Sequence, residues 1–180
     1  MDENIDRATN ATPESILEDR PEWAMDLLGF ELQSDAFGNG QRIPARFTAD
    51  GDDLSPALAW GMPPEGTRSL ALVVDDPDAP GGLFTHWIVL GLPPRPGDLV
   101  EGRGTDSSDV ADAISLTNDF DRVGWGSPAP PRGNPHRYRF RLLALDAEIR
   151  LPPSARRGDF DHMIEGHVIA ETTLTGLYGR

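Results

Sequence analysis

Ser69-Leu70-Ala71-Leu72-Val73-Val74-Asp75-Asp76-Pro77-Asp78-Ala79-Pro80, followed by Leu83-Phe84-Thr85-His86-Trp87-Ile88-Val89-Leu90-Gly91-Leu92, is the stretch that decides how this chain is read. Ser69 to Asp75 is a nearly continuous apolar run, the pattern of a central strand covered on both faces, and Leu83 to Leu92 is a second. Side chains alternate along strands, so Asp76 ends a row formed by Leu70, Leu72 and Val74, where the strand gives way to a proline turn. On the next strand Phe84, His86, Ile88 and Leu90 share a face, which sets His86 in an apolar row. A carboxylate at such a rim is partly desolvated and needs hydrogen-bond partners. Taken singly, Asp76 reads as a turn former and His86 as a satisfied core residue. Taken together, near strand ends, they point to a pocket.

Downstream, Arg137 to Leu145 carries the cleanest alternation: Tyr138, Phe140 and Leu142 fall on one face and Arg137, Arg139 and Arg141 on the other. This is the signature of an antiparallel strand with one packed and one wet face. His136 has the parity of Tyr138, so it joins the packed face. Before it, Gly124-Trp125-Gly126-Ser127-Pro128-Ala129-Pro130-Pro131 reads either as a rigid loop or as a place where backbone N–H groups approach an anion.

Further strands are expected over Leu28–Gln33, Arg42–Thr48, Ala57–Trp60, near Ile114–Leu116 and over His167–Leu177. Leu92 to Asp112 reads as a long surface connection, and Pro152 to Glu165 holds one helix stopped by Gly166. Eight or so strands separated by turns argue for a mainly β architecture, a sandwich or a bent antiparallel sheet. Residues 1–26 read as an acidic N-terminal extension, with Thr12 to Glu18 either starting a short helix or loosely docked, and residues 27–180 as a single domain. Asp50-Gly51-Asp52-Asp53 is a turn cluster, too short for a calcium loop.

Composition narrows the function classes. The chain has 180 residues, 19 glycines, 17 prolines and no cysteine, so a disulfide framework, a thiolate metal site and a cysteine nucleophile are excluded. The formal net charge of −14 disfavours nucleic acid and anionic membrane surfaces as partners. No apolar run approaches the ~20 residues of a membrane-spanning helix, and Met1 to Arg20 lacks the basic-then-apolar pattern of a secretory signal. A cytoplasmic protein without stable membrane insertion is the expectation. No nucleophile elbow of the Gly-x-Ser-x-Gly type and no His-Glu-x-x-His pair is present.

Asp76-Pro77-Asp78-Ala79-Pro80, His86-Trp87, the Gly/Pro loop and Gly133-x-x-His136-Arg137-Tyr138-x-Phe140 resemble the two signature regions of the phosphatidylethanolamine-binding protein family. Ser55-Pro56-x-Leu58-x-Trp60 and Gly66-Thr67-x-Ser69 fit its prokaryotic, Raf kinase inhibitor-like branch. The resemblance implies a large antiparallel sheet packed on a smaller one, with few short helices. It implies a small pocket for phosphate-like anions and phospholipid head groups, lined by Asp76, His86, His136 and Tyr138, with Pro80, Trp87 and Gly126 shaping its wall. The loop departs from the shorter Gly-Ser-Gly-Pro-Pro of eukaryotic members, which leaves the second glycine without a counterpart. The expected function is non-catalytic binding of a small anionic or phosphorylated ligand, with no metal and no cofactor. The alternative is an inhibitor or scaffold acting on a kinase or protease, the pocket serving as its switch. A protein partner and a homodimer stay open.

All sixteen basic residues are arginine, and Asp outnumbers Glu twenty to ten. A dense carboxylate surface of this kind suits high salt, where self-repulsion is screened. The melting temperature is expected to rise from low to molar salt in a calorimetric series; a flat or falling trend rejects halophilic adaptation.

Overall fold

The computed structural model describes residues 21–24, 29–104, 109–110 and 113–180. The expected helix at Thr12–Glu18 lies outside the described residues. Ten strands follow in order: β1 (Leu32–Gln33), β2 (Gln41–Arg42), β3 (Leu58–Trp60), β4 (Ser69–Asp76), β5 (Phe84–Leu92), β6 (Gly97–Leu99), β7 (Asp109–Val110), β8 (Ala113–Ser115), β9 (His136–Leu145) and β10 (Val168–Tyr178), with helix α1 (Arg157–Ile164) between the last two. They form a three-stranded sheet, β1-β3-β6, and a seven-stranded sheet, β2-β10-β9-β4-β5-β8-β7. Every pairing is antiparallel except that of β2 with β10. The expected mainly β, two-sheet fold is what the chain adopts.

The long apolar runs take the centre of the large sheet because a strand buried on both faces has no polar face to present to water. All eight residues of β4 are buried. Leu70, Leu72, Val74, Phe140 and Leu142 point toward the small sheet and meet Leu58, Trp60 and Leu99 there. Ala71, Val73, Leu143 and Leu145 face the other way and are covered by Phe160 of α1 and by Ile149.

Three sequence-based expectations change. Arg42–Thr48 is not one strand: only Gln41–Arg42 pairs, and a 3₁₀ turn at Ala45–Phe47 follows Pro44, whose ring leaves no N–H for a ladder. The connection after Leu92 contains β6, which pairs with β3 through Leu58↔Leu99 and Trp60↔Gly97. The helix is eight residues, Arg157–Ile164, and begins well after the prolines at 152 and 153.

The largest correction concerns the face assigned to water. Asp75, fully buried, accepts a hydrogen bond from Arg139 Nε at 2.7 Å. Arg141 and Arg157 also reach it, at 3.5 and 3.4 Å. Arg141 is further held by Glu171 through two 2.9 Å bonds. Arg139 and Arg141 of the β9 row therefore form a charge-compensating layer under α1, because a buried carboxylate requires neutralising donors, while Arg137 stays exposed. Removing this carboxylate takes the hydrogen-bond partner from Arg139 and leaves Arg141 to Glu171 and Arg157 to Asp161 alone, so positive charge in a half-buried layer loses its central counter-charge. Asp75→Ala is expected to destabilise the fold by about 3 kcal/mol, read as a lower urea midpoint, and an unchanged midpoint rejects this role.

Candidate functional site

The site is built where β4 ends and β5 and β9 begin. Pairing along β4 and β5 is regular from Ala71↔Leu90 to Val74↔Trp87, then shifts so that Asp75 faces Thr85 and Asp76 faces Phe84. His86 is the extra residue of a β-bulge, a feature that re-aims side chains at sheet ends. The bulge breaks the parity expected from sequence. Ile88 and Leu90 pack on the helix side, while Trp87 turns into the core between the sheets and His86 lines a cavity on that same side.

That cavity, about 160 Å³, is lined by Asp76, Ala79, Pro80, Phe84, His86, Phe120, Ala129, Pro130, Pro131, His136 and Tyr138. Five of the seven residues assigned to the pocket from sequence thus come together: Asp76, His86, His136, Tyr138 and Pro80. Trp87 is absent from the lining and donates its indole N–H to Ser115 Oγ at 3.0 Å. Gly126 acts from behind the wall. Its N–H donates to the His86 carbonyl at 2.8 Å, so it is unavailable to cradle an anion. Its own carbonyl lies 2.7 Å from His86 Nδ1. A side chain at Gly126 would run into the Phe120 ring, so glycine here lets that ring close one side of the pocket.

Each polar group has a defined partner on its outer side. Asp76 Oδ1 accepts the Asp78 N–H at 2.8 Å, and Asp76 Oδ2 lies 2.7 Å from His136 Nδ1. The proline turn is pinned to the start of β9 by Asp78, which takes the Arg137 backbone N–H and both arms of its guanidinium at 2.7–2.9 Å. The Arg137 guanidinium lowers the Asp78 carboxyl to about 2. On the opposite side of His86, Asp119 accepts the Thr85 N–H at 2.6 Å and returns its own N–H to the Thr85 carbonyl. Asn118, fully buried, donates to the carbonyls of His86 and Gly124.

The Gly126 carbonyl can only accept, so Nδ1 of His86 carries the proton and Nε2 of the neutral ring is a lone pair. The rings of Phe84, Phe120 and Tyr138 stand 5.1–5.4 Å from the imidazole centroid. Burial in this setting pushes the His86 pKa below its ordinary 6.5, against the opposing pull of the Gly126 hydrogen bond and of Asp76. Burial likewise raises Tyr138 far above the usual phenol range, with the Asp76 charge adding to it, so its hydroxyl stays a donor. Among the described residues no protein group is paired with the Tyr138 hydroxyl, His86 Nε2 or His136 Nε2.

The sequence reading missed Phe84, Phe120, Ala79, Ala129, Pro130 and Pro131 as lining. The prolines stood in a loop already suspected of serving the site. Phe120, an aromatic in a polar Asn118-Asp119-Phe120-Asp121 stretch, was the available signal. Asp50 and Asp53 are structural: Asp50 accepts from Tyr178 and Arg180, and Asp53 from Ser127.

A folded-state pKa below the unfolded value means that neutral His86 stabilises the fold fully above pH 6.5, a contribution lost as pH falls toward the lowered value. Wild type is expected to lose more stability than His86→Gln between pH ~7.5 and pH ~5 in urea unfolding. Equal losses would show that the ring titrates as it does in water.

Comparison with known proteins agrees with the fold. The family model of the phosphatidylethanolamine-binding protein matches residues 33–179. The UPF0098 protein of Aquifex aeolicus is 44% identical over 154 residues, covering 83% of this chain and 88% of that protein. A protein of Mycobacterium tuberculosis named putative lipoprotein LppC is 42% identical over 148 residues, 82% of this chain and 71% of its own length. Among solved structures, the putative phosphatidylethanolamine-binding protein homologue CT736 of Chlamydia trachomatis superposes with a TM-score of 0.76 at 32% identity, covering 84% of this chain and 98% of that one. YbcL of E. coli gives a TM-score of 0.77 at 30% identity over the same shares. Among the described residues no helix is long and apolar enough to cross a membrane. The chain belongs to the phosphatidylethanolamine-binding protein family.

Proposed function

We propose that this protein binds a small oxoanionic group of the phosphate type in the Asp76/His86/His136/Tyr138 pocket and does not transform it. The observation that carries this reading is the set of three pocket atoms, Tyr138 Oη, His86 Nε2 and His136 Nε2, left without protein partners among the described residues, on residues at most 8% exposed. Buried polar atoms of this kind are satisfied by a ligand or by water, because leaving them bare is costly. The Asp76 carboxylate fixes His136 Nδ1 as the donor toward itself. Nε2 of that ring then becomes an N–H donor on protonation, and Tyr138 supplies an O–H. At about 160 Å³ the cavity is below the usual ~300–1,000 Å³ of a drug-sized site, so it fits a head group rather than a whole ligand.

Turnover is disfavoured by the chemistry of the lining. It holds no serine, threonine or cysteine, and its one hydroxyl is a phenol kept protonated by burial. Ser127, nearby in sequence, accepts from Trp125 Nε1 at 3.0 Å and donates to Asp53, which leaves it committed. Binding that draws a proton into the pocket weakens as pH rises. Inorganic phosphate titrated into the protein, followed through the imidazole NMR signals, is expected to bind less tightly as pH goes from about 5.5 to about 8.5. Tyr138→Phe, which removes one donor and keeps the ring, is expected to weaken phosphate about tenfold. No saturable shift, or an affinity indifferent to pH, refutes the reading.

A further inference from the structure

The pocket's hydrogen-bonding polarity specifies the protonation state of its ligand. His86 Nδ1 is tied to a carbonyl that cannot donate, so the neutral ring offers only the Nε2 lone pair. An oxoanion without a proton would set its own lone pair against that one. The lining contains neither Arg nor Lys, and it contains the Asp76 carboxylate, so no permanent positive charge awaits a dianion there. Asp76 from β4 and His136 and Tyr138 from β9 share the cavity with His86, and the charges of Asp119, from the connection after β8, and of Asp75, on the helix side of β4, also act on its ring. On the far side of the sheet, Arg157 of α1 reaches Thr85 Oγ1 at 3.5 Å. With His136 Nδ1 committed to Asp76, Tyr138 Oη and, when that ring carries a second proton, His136 Nε2 are the two donors, and His86 Nε2 is the one acceptor. The complementary ligand group has two acceptor oxygens, one donor and a single negative charge.

We propose that the pocket selects the singly protonated monoanion of a phosphate monoester, with its P–O–H donating to His86 Nε2 and its other oxygens accepting from Tyr138 Oη and His136 Nε2. This rests on the anion-binding reading and narrows it from oxoanions in general to one class. A phosphodiester and a sulfate ester carry the same single charge and similar tetrahedral shape but no donor. Either leaves His86 Nε2 unpaired or forces a second proton onto a ring whose burial opposes the charged form. Sites built around a ligand's hydroxyl group discriminate against analogues lacking it because a buried partner is left bare.

The test is calorimetric titration of the full chain with methyl phosphate, methyl sulfate and dimethyl phosphate at about pH 5.5, below the second phosphate pKa of about 6. Methyl phosphate is expected to bind at least about tenfold more tightly than either of the others. In His86→Gln the amide can present a donor, so the preference for methyl phosphate over methyl sulfate is expected to collapse toward parity. Methyl sulfate or dimethyl phosphate binding as well as methyl phosphate overturns the selectivity and leaves anion binding standing. A preference that survives unchanged in His86→Gln overturns the role given to that ring. If none of the three binds, the anion-binding reading falls and this inference falls with it.

Discussion

Asp75 is a carboxylate with no access to water, inserted in the central strand of the large sheet, and much of the architecture follows from what it requires. An ionised group in such a place persists only with compensating charge and satisfied lone pairs. Three arginines from two elements meet it: Arg139 and Arg141 from β9 and Arg157 from α1. Helix and sheet are thereby locked by an electrostatic node as well as by the apolar contact of Phe160 with the strands. Arg157 extends the node to Thr85, the residue opposite Asp75 and next to the bulge. Because neighbours on a strand point to opposite faces, fixing Asp75 toward the helix fixes Asp76 toward the pocket. The two adjacent carboxylates divide the labour, one holding layers together and the other orienting His136.

The bulge at His86 is the second consequence. A regular β5 carrying Trp87 into the inter-sheet core would send His86 to the helix side. The extra residue lets both side chains face inward, Trp87 into the core and His86 into the cavity. Hydrogen bonds from outside the sheet hold the bulge: Asp119 grips Thr85 through both its backbone groups, and Asn118 and Gly126 share the His86 carbonyl. The Gly/Pro loop therefore acts in the opposite sense to an N–H cradle. It presents a carbonyl to the imidazole, and that choice of acceptor over donor decides the tautomer and the chemistry available to a ligand.

How much of this was legible in the sequence depends on whether the cause is local. β4, β5, β9 and β10 were readable because their hydrophobic runs are long enough to define a period. β6 and β2 were not, since two- and three-residue strands are defined by the partner that pairs with them. Parity correctly brought Asp76, His136 and Tyr138 together, for their strands stay in register from Val74↔Phe140 through Asp75↔Arg139. It misjudged the company of His86, because a bulge is written in the partner strand and the flanking loop rather than in the run itself. The arginine row looked solvated because the carboxylate that compensates Arg139 and Arg141 lies 64 and 66 residues away in sequence. The departure of Trp87 from the pocket wall has the same origin as the bulge.

The acidity of the chain bears on its pocket through distance. A formal charge of −14 sets up a potential that opposes the approach of any anion, and the lining adds Asp76 without an Arg or Lys to offset it. Affinity for the proposed ligand must therefore come from hydrogen bonds within a few ångströms rather than from long-range attraction. Short-range bonds of this kind survive salt, since screening acts on charges separated by more than the Debye length, about 3 Å at 1 M. High ionic strength removes the long-range repulsion and leaves Tyr138, His86 and His136 at full strength. A pocket that binds through short hydrogen bonds, without arginine, suits a molecule whose surface is crowded with carboxylates. One built from arginines would be drawn into ion pairs with that surface, as Arg137 already is with Asp78.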